Sequence, residues 1–262
     1  MLYLSLYPSI HELTEYRMKF TRCLMSIAVL ISAVFLVSCT SSPIAPISER
    51  TSPAPLGSAN DLTAHYAELS KAQGKLFNLD PKRSSVRIYA FRAGQAAKVG
   101  HNHVLSAPDF KGYFFLATSG APTSSFDLEF RLDQLEIDNP NERSNLGKAF
   151  ASKLSPEVIA STREHMLGED NLQALRFPFV RIRSVQISGE TPKFAAKIAV
   201  DLHGQTREIW VPLTVTGLPE HLSVEGSLVL RQSDFGAKPY SVLGGLLAVQ
   251  DEVIVEFKLS GS

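Results

Sequence analysis

Beyond Gly74 a period of two organises the chain. Phe126, Leu128, Phe130 and Leu132 alternate without a break with Asp127, Glu129, Arg131 and Asp133. Phe194, Ala196, Ile198, Val200 and Leu202 alternate with Lys193, Ala195, Lys197, Ala199 and Asp201, and Leu222, Val224, Gly226, Leu228 and Leu230 with mostly polar partners. Val253, Val255, Phe257 and Leu259 repeat the pattern near the end. Successive side chains on a strand point to opposite faces, so each segment predicts a strand with one buried and one wet face. The strands are antiparallel in character, because parallel strands buried on both faces read as continuous apolar runs. Turn-forming clusters separate them at Ser119–Pro122, Ser188–Pro192, His203–Gln205 and Gly217–Pro219. The segments predict an all-β domain of eight to ten strands, enough to close a barrel and remove exposed edges.

One helix interrupts the series. Ser155-Pro156-Glu157 supplies a cap residue followed by proline at the first helical position, and Val158, Ile159, Thr162, His165 and Met166 recur at helical spacing. It is expected to pack over one end or side of the sheet. Asp61–Gln73, with Leu62, Tyr66 and Leu69, predicts a short helix ahead of the first strand.

The front of the chain has a different character. Met18-Lys19-Phe20-Thr21-Arg22 is a short basic region, and Leu24–Val37 is an almost uninterrupted apolar run. That is the anatomy of a secretory signal, and the run falls short of the roughly 20 apolar residues that span a bilayer. It ends at Leu36-Val37-Ser38-Cys39, which resembles the bacterial lipobox. The resemblance implies cleavage before Cys39, a diacylglycerol on its thiol and a membrane-anchored mature chain. Thr40, where an aspartate would signal retention, points to the outer membrane and a domain facing the periplasm. Residues 1–17 sit poorly in front of such a signal, so Met18 is the expected start. Residues 1–38 then form the signal region. Residues 39–74 form a lipidated, Ser/Pro/Ala-rich tether with the short helix, too poor in large apolar groups up to about Asn60 to fold alone, and residues 75–262 form the β domain.

Composition narrows the chemistry. The 26 basic and 26 acidic side chains balance, which weighs against a nucleic-acid partner, since phosphate backbones are held by an excess of Lys and Arg. The two cysteines, Cys23 and Cys39, both fall in the leader, so the β domain has neither a disulfide framework nor a cysteine metal site. There is no glycine-rich phosphate loop, dinucleotide fingerprint or nucleophile elbow, and Ser241-Val242-Leu243-Gly244-Gly245 reads as a flexible loop.

Several short patterns occur in the order seen in the YceI-like domain family. Leu79-Asp80-Pro81-Lys82-Arg83-Ser84-Ser85-Val86 resembles its opening strand, and Lys98-Val99-Gly100-His101-Asn102-His103 its Gly-His-x-His step. Phe110-Lys111-Gly112, Arg176–Ser184, Leu202–Arg207 and Arg231-Gln232-Ser233-Asp234-Phe235-Gly236 continue the series over roughly residues 76–260. Arg83 stands where a histidine commonly precedes the serine, and Arg181 and Arg183 replace the usual apolar and aromatic choices. The resemblance implies an extended, lipocalin-like antiparallel barrel of about eight strands with one inserted helix. It further implies that the interior holds a long isoprenoid chain, such as a polyprenyl or quinone tail.

An eight-stranded barrel can be filled by side chains or hold one ligand, and the sequence leaves both open. If it is hollow, Phe126, Leu128, Phe130, Phe177, Phe179, Trp210, Leu228 and Leu230 are the expected ligand-lining set. Each buried methylene would contribute roughly 0.8 kcal/mol, so apolar area alone can supply affinity. On a strand, His101 and His103 would point the same way and could share a metal ion, with His165, Asp109, Glu164 or His203 as a third ligand. The histidines otherwise serve as a polar lip or hydrogen-bond a headgroup. The leading expectation is a non-catalytic, membrane-anchored lipid or isoprenoid binder without an obligate divalent metal. The alternatives are a metal-dependent catalytic or sensory site and a filled-barrel interaction module of the envelope.

Overall fold

The computed structural model describes residues 59–262. The apolar leader, Cys39 and most of the tether lie outside the described residues.

Twelve strands form one antiparallel sheet: β1 (Gly74–Asn78), β2 (Ser85–Ala93), β3 (His103–Ser106), β4 (Lys111–Ala117), β5 (Ser125–Arg131), β6 (Glu136–Ile137), β7 (Phe179–Glu190), β8 (Lys193–Leu202), β9 (Gln205–Thr216), β10 (Leu222–Arg231), β11 (Ser241–Val242) and β12 (Leu247–Gly261). Their order is β1-β4-β5-β7-β8-β9-β10-β12-β2-β3-β6, with β11 paired to β12 outside that path. The sheet curls strongly into a half-barrel whose path ends at β1 and β6. From the last residue of β1 onward the chain is stitched to the end of β12: Asn78 N donates to Ser262 O at 3.0 Å, Ser262 N to Asn78 O at 3.2 Å and Asp80 N to Ser260 O at 2.8 Å.

The expectation of about eight strands closed into a barrel is thus corrected to a larger curled sheet. The long strands are those that the alternation predicts. The additional ones include β3, β6 and β11, of two to four residues, too short for a period of two to register. The β8–β9 reversal follows the sequence closely. His203 and Gly204 adopt φ of 52° and 71° between the paired residues Leu202 and Gln205, as a two-residue type I′ hairpin requires.

Three α-helices occur among the described residues: α1 (Ala59–Leu69) and α3 (Pro156–Leu167), where the sequence places them, and the additional short α2 (Pro140–Asn145). Tyr66 of α1 is fully buried, stacks on Tyr113 with ring centroids 5.0 Å apart and donates its hydroxyl to Asp127 at 2.6 Å. This explains the unbroken apolar run Tyr113-Phe114-Phe115-Leu116: Phe114 and Leu116 face the inside of the curl, while Tyr113 and Phe115 pack beneath the helix. Helix α3 starts as its sequence demands, with Ser155 Oγ accepting from Val158 N at 3.4 Å and proline at the first position. It is tied down by Arg163, which donates to Asp133 O at 3.1 Å and Leu135 O at 2.5 Å, and by Ile159 and Met166 packed on the core.

Candidate functional site: an apolar tunnel with a polar end

The inner face of the sheet does not meet itself. It encloses a cavity of about 880 Å³, near the upper end of the roughly 300–1,000 Å³ typical of small-molecule sites. The interior is therefore hollow. Ile88, Ile182, Leu213, Val255 and Phe257 point inward yet are only part-buried, because their tips face space rather than other side chains. Gly226 is an exception to the open wall, since the Phe257 ring lies where its Cβ would be.

Strand β12 measures the cavity's length: Val249, Val253, Val255, Phe257 and Leu259 all line it, a track of ten residue steps or about 30 Å at roughly 3.3 Å per step. Spread along that track, the volume corresponds to a cross-section of roughly 30 Å². These are the proportions of a tunnel for an extended chain. One end lies among Leu79, Thr191, Leu218 and Leu222. Glu190 adjoins Thr191 there, and the other end carries His103 on β3, Ser161, Thr162 and His165 on α3, together with Gln232 and Tyr240. Pairing places them together. His103 sits opposite Ala90, and Val249 opposite Arg92; Val249 N donates to Tyr240 O at 2.9 Å, and the Tyr240 ring lies 4.8 Å from that of His165.

Of the expected ligand-lining residues, Phe126, Leu128, Phe130, Leu228 and Leu230 lie on the tunnel wall. Phe177, Phe179 and Trp210 do not. Trp210 is 51% exposed on the outer face of β9, opposite Lys197, because Ile209 and Val211 take the inward positions. Phe179 lies on the same outer face of β7 as Arg181 and Arg183, with Val180 and Ile182 inward, and is clamped by Arg131 and Arg181, each about 5.2 Å from its ring. Phe177 precedes β7 and packs edge-on against His203 at 5.0 Å. The arginines themselves signalled this parity. They form outer-face ion pairs, Arg181 with Glu129 and Arg183 with Asp201, so their departure from the family pattern does not touch the tunnel.

The three histidines of the metal expectation are not assembled as a ligand set. His101 lies just ahead of β3 rather than on it, so strand geometry does not aim it with His103, and its Nδ1 is 3.2 Å from Ser152 Oγ. Burial, then the neighbouring His103 and Arg143, lower its proton affinity. His165 Nδ1 bonds its own helix at Ser161 O, 2.8 Å away. Among the described residues no group of three His, Cys, Asp or Glu side chains is placed to share a metal ion. His203 sits at the β8–β9 hairpin with Nδ1 bonded to Phe235 O.

His103 instead belongs to a buried network that the sequence did not reveal. Its Nδ1 lies 2.6 Å from Asp138 Oδ2. Asp138, with no exposed side-chain surface, also accepts from Val104 N at 3.1 Å and Arg143 Nη1 at 2.5 Å. Arg143 further donates to Asn102 O at 2.8 Å and Ser152 Oγ at 3.0 Å. Burial alone would raise the Asp138 pKa, but the His103 and Val104 hydrogen bonds and the Arg143 charge outweigh it and hold the carboxyl below its ordinary value. The signal present in the sequence was Asp138-Asn139-Pro140, a cap and first-turn proline that start α2 and thereby position Arg143.

The fold has recognisable relatives. BcnA of Burkholderia cenocepacia superimposes with a TM-score of 0.51 at 16% identity, covering 70% of this chain and 99% of that one. A polyisoprenoid binding domain from Saccharophagus degradans implicated in plant cell wall breakdown gives 0.49 at 16% identity over 72% and 99%. A Campylobacter jejuni YceI protein gives 0.43 at 9% identity over 60% and 84%. No curated protein sequence matches the chain. A model of the YceI-like domain matches residues 77–260, which takes in all of β2 to β10 and nearly all of β12. By that match, which spans well over half of its length, the chain belongs to the YceI-like domain family.

Proposed function

We propose that the domain binds one long apolar chain, a polyisoprenoid or the tail of a quinone, along the tunnel, and serves as a carrier or sequestering protein rather than a catalyst. The observation that carries this reading is a 30 Å track walled almost entirely by aliphatic and aromatic side chains, with His103 and His165 among the polar groups at one end. At roughly 0.8 kcal/mol per buried methylene, ten methylenes supply about 8 kcal/mol of gross stabilisation, from which the cost of association is deducted. The proposal includes anchorage at Cys39 on the periplasmic face of the outer membrane. The twenty residues from 40 to 59 reach at most about 70 Å, enough to bring the domain to a bilayer from which a chain is drawn.

Titration with isoprenoid alcohols of increasing length tests the tunnel. Affinity is expected to rise with each added unit and then level off once the chain fills the track. Affinity independent of length would refute it. For the anchor, Cys39→Ser is expected to move the protein from the membrane to the soluble fraction; unchanged membrane association would refute that part.

A further inference from the structure

The polar end of the tunnel is built to one polarity. Asp138 is an ionised carboxylate beside Arg143 and offers only lone pairs to His103, so the proton of the 2.6 Å contact belongs to His103 Nδ1. In the neutral imidazole Nε2 is then a bare acceptor. The hydrogen bond of His103 is the one its Nδ1 makes, its Nε2 is not among the fully buried unsatisfied atoms, and the residue lines the tunnel. His165 repeats the arrangement: its Nδ1 donates to Ser161 O, and its residue lines the same end. Two imidazoles thus have their donors committed to the protein, leaving acceptors for a ligand.

Resting on the proposed binding of an apolar chain, we infer that the bound chain ends in a hydroxyl, which donates to His103 Nε2. The ligand class narrows to an isoprenoid alcohol or a phenol-type headgroup such as a reduced quinone. An oxidised quinone presents only carbonyl acceptors, and these meet a lone pair rather than a proton. Asp138 is a positioning residue in this scheme, because it selects the tautomer.

The test compares farnesol with farnesyl methyl ether on the detergent-solubilised full-length protein. The two share a chain and differ in the hydroxyl proton. The wild type is expected to prefer the alcohol about tenfold, the scale of one hydrogen bond left unmade. His103→Phe removes the acceptor and should bring the ratio near one. Asp138→Asn is the sharper variant: an amide nitrogen at the Oδ2 position donates to Nδ1, which moves the imidazole proton to Nε2. A donor there serves alcohol and ether oxygens alike, so the ratio again falls near one while overall binding persists. Equal affinities in the wild type, or a tenfold ratio that survives both substitutions, would overturn the inference while leaving chain binding intact. Failure of both ligands to bind would instead overturn the proposed function and this inference with it. The wild-type comparison needs no variant, so a variant that does not fold leaves the test in place.

Discussion

Val255→Phe discriminates between a hollow and a filled interior. Val255 lies at mid-tunnel on β12, paired with Leu228 of β10 and Ile88 of β2, and all three line the cavity. A phenyl ring there projects into a channel of roughly 30 Å² cross-section and closes it. From Val255 to Leu259 the track runs four residues, about 13 Å, so a blocked chain is denied about nine methylenes at roughly 1.5 Å per bond. At about 0.8 kcal/mol each this is an upper bound near 7 kcal/mol. Partial threading from the other end reduces it, and a loss of at least about a hundredfold in affinity for a long isoprenoid alcohol is expected. Stability should move the other way from an ordinary core enlargement. Overpacking a filled core costs about 1–3 kcal/mol, whereas a ring entering empty space is accommodated and buries apolar area. Urea unfolding and ligand titration on one preparation read both quantities. A destabilisation of 1–3 kcal/mol with unchanged affinity would refute the tunnel.

The buried network gives further expectations. Arg143→Ala leaves the Asp138 carboxylate without its cation and should cost about 3–5 kcal/mol in urea unfolding. Because Asp138 titrates below its ordinary value when folded, its contribution is fully present above the unfolded pKa near 3.9 and is lost as pH falls through the folded value; Asp138→Asn should flatten that acid limb. Asp127 has the opposite sign: burial beneath α1 raises its pKa, so stability declines as pH rises from the unfolded through the folded value. Asp127→Asn is therefore expected to stabilise the protein at pH 7 and to lose that advantage below about pH 4. Tyr66→Phe removes the hydroxyl bonded to Asp127 and should cost about 1.5–3 kcal/mol, the range for a hydrogen bond to a charged group; urea midpoints at pH 7 check both.

The fold was legible wherever a single physical rule acted alone. Period two marked β5, β8, β10 and β12, whose inner faces meet space or apolar neighbours and whose outer faces carry mostly charged, polar or small side chains. The Ser155-Pro156 pair marked the start of α3. Legibility failed where two demands overlapped. On β4 the alternation disappears because α1 covers the outer face, and in β3, β6 and β11 a few residues cannot express a period. The tunnel wall was half legible for the same reason. Phe126, Leu128 and Phe130 share a face with no charge on it, whereas Phe179 shares its parity with Arg181 and Arg183. Trp210 stands between Ile209 and Val211, which take the inward positions, so its own place on the strand is outward. The Asp138–Arg143 support of His103 joins β3 to α2 across about 40 positions of sequence, a contact that local patterns do not encode.

Native mass spectrometry of the purified full-length protein, followed by organic extraction of whatever stays bound, tests the central claim most directly. One adduct per chain, releasing an isoprenoid species and absent from Val255→Phe, is the predicted result. A bare mass that no isoprenoid alcohol converts to an adduct, or adducts of bulk phospholipid only, would contradict it.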